Sequence, residues 1–300
     1  MDTPHRFSTP TDVSDLIDEM LEFLPMPYRE RRRAMQRLFQ GEYPRFLYRY
    51  TRFAPDDSQS VERLRNIIVD SQLWLASPLD FNDPFDMTAA IVFEGTDDQR
   101  HGFVDSTVER SVPGMAPMEK SRLVDAILAD AQEVQSRLRQ AFHCRMSQVG
   151  VVCFGRDPRS VLMWSHYAAN HTGIALQFEP VRDVLELASA VPVSYADSYP
   201  VLNWLDGLEG GIRLTLRQKH RAWAYEGEFR CLRIRDAHTQ LHFDARALTG
   251  VILGCRATEH TEQAVRLLLA ERAARSAPAL AVYRAEQHPR DYRLVLRRLD

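Results

Sequence analysis

Short apolar runs succeed one another through the second half of the chain, and this succession constrains the fold more than any other feature. "VGVVCFGR", "GIALQFEP", "VPVSYAD", "YEGEFRCLRI", "TGVILG", "ALAVYRAEQ" and "YRLVLRRL" each have strand length. Helical segments such as "SVLMWSHYAANH" and "EQAVRLLLAERAAR" are inserted among them without strict alternation. That order predicts an α+β fold built on a mixed, largely antiparallel sheet.

Upstream, "FLYRYTRF" (46–53), a helix at "SVERLRNIIVDS", "LWLASP" (73–78) and "MTAAIVFEG" continue the pattern. A helix-rich insertion follows at about residues 97–145, with "KSRLVDAILADAQEVQSRLRQAF" as its clearest helical stripe. Residues 1–45 read as a helical preface. Cap-type residues precede the stripe Leu16, Ile17, Met20, Leu21 and Leu24, and "PYRERRRAMQRLFQG" has proline early and glycine after its end. No repeat or low-complexity linker divides the remainder, so residues 46–300 are expected to form a single domain.

A chain of 300 residues with 45% hydrophobic and 26% charged content has the composition of a soluble globular protein. Its net charge of −3 gives no general attraction to nucleic acid or anionic membrane, and "RERRRAMQRLF" (29–39) is the one dense basic cluster. Cys144, Cys153, Cys231 and Cys255 are spaced singly, which predicts small buried hydrophobes in place of a disulfide scaffold or a zinc site. No apolar run reaches bilayer length and the N-terminus has no signal-like apolar region, so a cytoplasmic address is expected.

A Gly-rich phosphate loop, a GxSxG elbow and an HExxH motif are all missing from the sequence, which counts against common NTPases, serine hydrolases and zinc peptidases. His166 and His171, five apart, do not share a helix face as a metal pair would, and His166 reads as a hydrogen-bonded, partly buried residue. Four clusters do carry more polar and aromatic content than packing requires: "LYRYTRF", "LWLASPLDFNDPFD", "LMWSHYAANHTG" and "WAYEGEFR". Each places polar groups at the end of an apolar element, as a ligand pocket does.

Within the second cluster, Asn82 and Asp83 are expected to cap backbone N–H groups before Pro84 while Phe81 and Phe85 anchor the loop. Within the third, Trp164 and Tyr167 lie three apart on a short helix, as core residues or as ligand contacts. Within the fourth, a period of two puts Trp223, Tyr225 and Phe229 on a core face and Glu226, Glu228 and Arg230 on the other, predicting a strand over 223–234. That charged stripe is either a self-paired solvated face or a pair of working carboxylates.

The ordered set of an aromatic-Arg-Tyr strand, "SP…FNDPFD", "MWSHYA…HTG", "K…W.YE.E.R" and a late "GVILG" resembles a large bacterial family, domain of unknown function twenty-nine seventy-one, over about residues 46–295. A second resemblance concerns chemistry. Arg49 on an early strand, Ser77 on the next, and Glu226-Gly227-Glu228 late in the chain are similar to the ordered elements of Arg-Ser-Glu ADP-ribosyltransferases. This implies an enzyme that uses NAD as its substrate, a toxin or defence effector, with a large insertion between Ser77 and Glu226. It also implies that Arg49 binds the NAD phosphate or nicotinamide amide and Ser77 braces the nicotinamide end. Glu228 would then hydrogen-bond the nicotinamide ribose and Glu226 orient the acceptor. Tyr50 and Tyr225 complete the expected nucleotide contacts, and Asn82, Trp164, His166, Tyr167 and Arg230 the substrate contacts.

Two other classes fit the same residues. In a metal-dependent phosphodiesterase or nuclease, Asp83, Asp86, Glu226 and Glu228 would hold magnesium while Lys219 or Arg230 faced the phosphate. In a non-catalytic binding module, the arginine-rich preface would dock a partner.

Overall fold

The computed structural model describes residues 22–39 and 41–299. In chain order, α1 (Tyr28–Leu38) is followed by β1 (Leu47–Thr51), α2 (Ser58–Ile68), β2 (Gln72–Leu75) and β3 (Ala90–Val92). Three helices then form the insertion: α3 (Asp97–Ser111), α4 (Pro117–Ala129) and α5 (Ala131–Ser147). Next come β4 (Gly150–Gly155), α6 (Val161–Tyr167), β5 (Ile174–Phe178), β6 (Val191–Pro192), β7 (Ser194–Ala196), β8 (Val201–Asn203) and α7 (Leu208–Arg217). The chain continues through β9 (Gln218–His220), β10 (Glu228–Arg233), β11 (Thr239–His242), β12 (Leu248–Leu253), α8 (Glu259–Ala274), β13 (Ala281–Gln287) and β14 (Leu294–Arg298).

Eight strands make one sheet in the order β14-β13-β12-β5-β1-β4-β10-β6. Its one parallel pair is β12 with β13, joined by the helical crossover α8, and the other neighbours are antiparallel. The fold is therefore α+β with a mixed, mostly antiparallel sheet. Short strand pairs β2–β11, β3–β8 and β7–β9 lie outside it.

Alternation along the strands gives each face its own core. Leu47, Val152, Phe154, Leu176, Phe178 and Phe229 face the larger core, which also takes in Ala34, Met35 and Tyr43 from the preface. Tyr48, Tyr50, Ala175 and Ile252 face a second core with Met163 and Trp164 of α6, where Tyr50 meets the Trp164 ring edge-on at 5.2 Å. The part of the preface that is described thus packs as an integral piece of the fold. Arg31 stitches it in place, donating to the carbonyls of Phe23, Leu24, Met26 and Val181. The stripe Leu16, Ile17, Met20 and Leu21 lies outside the described residues, and Leu24 is an exposed turn residue.

Several local expectations are corrected. The helical stripe of the insertion breaks at Asp130, whose carboxylate accepts from Glu133 N at 2.9 Å and restarts the chain as α5. Cys144 is exposed on α5, and only Cys231 of the four cysteines is buried outright. Phe85 is 64% exposed and so does not anchor the loop in the core, while Asp83 accepts from its backbone N–H as the expected cap. No helix among the described residues is long and apolar enough to cross a membrane.

The largest correction concerns residues 223–234. Arg221–Glu226 form a 3₁₀ turn, Gly227 adopts φ 50°, and only at Glu228 does the strand begin. Trp223, Tyr225 and Phe229 therefore do not share a strand face. Glycine is favoured at 227: the left-handed conformation disfavours a side chain, and a Cβ there would lie 2.9 Å from Arg156 Cγ, so the Arg156 side chain would have to shift.

Candidate functional site

Strands β1 and β4 register only at Tyr48 and Gly155, while farther along β4 Val151 is bridged instead by Ala76, just past β2. The sheet is thus split beside Cys153, and Arg49 Nη1 donates to the Cys153 carbonyl at 3.3 Å. A cavity of about 700 Å³ opens at this split, within the range of small-molecule sites. Arg49, Tyr50, Asn82, His166, Tyr167, Glu226 and Glu228 of the expected residues line it, together with Lys219 and Trp223.

The floor is a buried network of charges. Lys219 Nζ lies 2.5 Å from Glu226 Oε2, 3.1 Å from Glu228 Oε2 and 3.4 Å from Asp86 Oδ2. Arg230 Nε donates to Glu228 Oε1 at 2.7 Å, and its Nη2 donates to both Asp86 oxygens at 2.9 and 2.7 Å. Arg230 Nη1 takes the Leu216 carbonyl at 2.9 Å. Tyr167 closes the set by donating its hydroxyl to Glu226 Oε1 at 2.6 Å. Strand periodicity places Glu228 and Arg230 on one face of β10, whereas Glu226 reaches the same ammonium from the 3₁₀ turn.

The two glutamates differ in consequence. Burial acts to raise both, but Arg230 and Lys219 outweigh it at Glu228 and hold that carboxyl down to about 2. At Glu226 burial prevails over Lys219, and the neighbouring Glu228 charge adds to the rise. Burial, the Glu226 hydrogen bond and the Glu226 charge together raise the Tyr167 phenol, which stays protonated as a donor. Lys219 is raised well above its ordinary value: burial opposes its charge, but Glu228, Glu226 and Asp86 prevail.

Arg49 stands apart from this balance. No carboxylate lies within ion-pair distance of it among the described residues, and burial lowers its pKa. An enclosed guanidinium with one carbonyl for a partner keeps most of its donors for something else.

Four expected site residues take other work. Ser77 is 1% exposed and does not line the cavity; its hydroxyl accepts from Leu79 N at 3.3 Å while Asp80 accepts from Ser77 N, a reciprocal cap that orients Asp80, Phe81 and Asn82. Trp164 is fully buried, donating Nε1 to the Pro158 carbonyl at 2.8 Å. Arg230 is buried beneath the floor and meets no cavity space. Tyr225 does not line the cavity; its hydroxyl lies 2.9 Å from Nδ1 of His166, which is hydrogen-bonded as expected but exposed in place of the expected partial burial.

The magnesium arrangement is not assembled. Asp83 lines a neighbouring cavity, and Asp86, Glu226 and Glu228 converge on an ammonium the chain itself supplies. No cluster of three or more metal-ligating side chains occurs among the described residues.

The residues that sequence reasoning underweighted are Lys219, the hub of the floor, and Trp223, whose ring lies 5.0 Å from Lys219 Nζ. Both stand in "KHRAWAYEGEFR", but Trp223 reads as core only if the stretch is a strand throughout. No curated protein and no solved structure gives a significant match to the chain. A family model does: residues 163–231, running from α6 to β10 and containing Tyr167, Lys219, Glu226, Glu228 and Arg230, match the family described as "Protein of unknown function (DUF2971)".

Proposed function

We propose that the cavity binds NAD as a substrate and cleaves its nicotinamide–ribose bond, transferring the ADP-ribosyl group to an acceptor or to water. The observation that carries this reading is the half-buried Arg49 guanidinium, free of any carboxylate among the described residues, in the same cavity as Glu226. A pyrophosphate supplies the anionic oxygens that such a guanidinium lacks, and their spacing matches its fork of donors. Trp223 and Asn82 offer a ring face and an amide to the planar parts of the nucleotide.

Cleavage of the C–N bond leaves its electron pair on nicotinamide and develops positive charge on the ribose. A fixed carboxylate beside that carbon stabilises the transition state more than the ground state. Glu226, held by the Lys219 ammonium and the neutral Tyr167 hydroxyl, suits this part better than Glu228, which takes three hydrogen bonds from the two cations Arg230 and Lys219. Its raised pKa also equips Glu226 to take the proton of the incoming hydroxyl or water. Glu228, Arg230 and Asp86 serve as the rigid setting that keeps Lys219 in place. Glu226 thus takes the ribose role expected of Glu228 in addition to its own role toward the acceptor, and Ser77 is not needed at the nicotinamide end.

A second reading, NAD binding without turnover, is favoured by one observation: both Glu226 oxygens already accept hydrogen bonds from within the protein. Nicotinamide release from NAD, measured with wild type, Glu226→Gln and Glu228→Gln in EDTA, separates the two. Turnover predicts release that EDTA leaves intact and that Glu226→Gln abolishes. Binding without release, for NAD alone and for NAD with cell lysate as acceptor source, selects the second reading.

A further inference from the structure

A second cavity, of about 930 Å³, opens between the C-terminal part of α5, helix α7 and the end of β10. Its lining contains five arginines against two glutamates, in a chain whose net charge is −3. Glu186 pairs with Arg233 at 2.5 Å and Glu209 lies 3.6 Å from Arg213, so both carboxylates are engaged. Arg145, Arg217 and Arg235 have no carboxylate partner among the described residues.

Arg217 is the telling member. Its Nε is buried with no acceptor, and burial pushes its pKa down. A buried cationic donor left unsatisfied is costly, and folded proteins carry few of them. Beside it the walls are apolar: Leu232 and Leu216 line the interior, while Leu185 and Ile234 are 59% and 64% exposed at the edge. An apolar enclosure with one sign of charge in excess is complementary to a ligand with an apolar body and an anionic head. The space is separate from the NAD cavity. Leu216 stands between them, its carbonyl taken by Arg230 on one side and its side chain lining the second cavity.

We propose that this second cavity binds a small amphipathic anion, a carboxylate or sulfonate head on an apolar body, with Arg217 receiving the head and Arg235 and Arg145 reinforcing it. The assignment does not depend on NAD chemistry at the first cavity. The probe is anilinonaphthalene sulfonate, titrated by fluorescence against the full chain and then displaced by decanoate or by uncharged decanol. The expected result is saturable binding that decanoate displaces at least tenfold more effectively than decanol. Arg217→Met should weaken probe binding at least tenfold, while Arg49→Met, in the other cavity, leaves it unchanged.

Arg217→Met removes a half-buried guanidinium whose Nε has no acceptor and should melt no lower than wild type. If it fails to fold, Arg145→Met/Arg235→Met gives the same reading from the rim. Unsaturable binding overturns the proposal, as do binding that neither arginine variant weakens, loss of binding in Arg49→Met, and equal displacement by decanol.

Discussion

Replacing Arg230 by methionine is the sharpest test of the buried floor. The guanidinium is wholly buried and gives hydrogen bonds to both oxygens of Glu228, both oxygens of Asp86 and the Leu216 carbonyl. Methionine fills much of the same volume with none of these donors. Asp86, Glu226 and Glu228 would then share the single ammonium of Lys219, and the floor would gain a further uncompensated negative charge. Breaking a buried ion pair by removing one partner costs about 3–5 kcal/mol, a large part of the ~5–15 kcal/mol that holds a domain folded. Urea denaturation should show the unfolding free energy falling by that amount, through a lower midpoint at unchanged slope. Glu228→Met/Arg230→Met should recover at least about 2 kcal/mol relative to the sum of the two single substitutions, because it removes charge from both sides. A loss below about 1 kcal/mol for Arg230→Met would mean that the carboxylates are hydrated, and the account of the floor would fall.

Two further outcomes follow from the same contacts. Ser77→Ala should cost about 1 kcal/mol, the usual worth of a lost cap, and leave nicotinamide release within about twofold of wild type, since the hydroxyl faces Leu79 N and not the cavity; a collapse of release with stability intact would restore Ser77 to the site. For pH, Glu228 falls from 4.5 to about 2, so it contributes about 3 kcal/mol that is fully present above pH 4.5 and is lost as pH drops toward 2. The raised Glu226 works the other way, favouring the fold at low pH and losing that contribution as pH rises through its folded value. Acid unfolding should therefore be steepest between pH 4.5 and 2, and Glu228→Gln should flatten that limb in urea midpoints measured against pH; an unchanged limb would show that Glu228 is not held low.

The strand-rich pattern was enough to indicate the sheet, because alternating and continuous apolar runs report directly which residues face a core. The same periodicity failed at 221–226, where Trp223, Tyr225 and Glu226 mimic a strand but form a 3₁₀ turn closed by Gly227. Two glutamates two apart still converged, by a turn and a strand in place of one strand face. Ser77 reads as a site residue only if the capping-box spacing of Ser77-Pro78-Leu79-Asp80 is passed over, and that spacing is the reciprocal bond the structure forms. Arg230 and Lys219 looked alike in sequence, both cations beside the Glu pair. Which of them meets the cavity depends on Asp86, 144 residues away from Arg230 along the chain. Long-range pairing of that kind leaves no local signature.

The central claim is that Arg49 receives the phosphates of a nucleotide in the cavity where Glu226 stands. Calorimetric titration of wild type and Arg49→Met, each with NAD and with nicotinamide riboside, tests it most directly. A charge-assisted contact worth about 1.5–3 kcal/mol predicts NAD affinity falling roughly 10- to 100-fold in the variant, with the phosphate-free riboside binding both proteins alike. Equal NAD affinity in the two proteins, with the variant still folded, would contradict it.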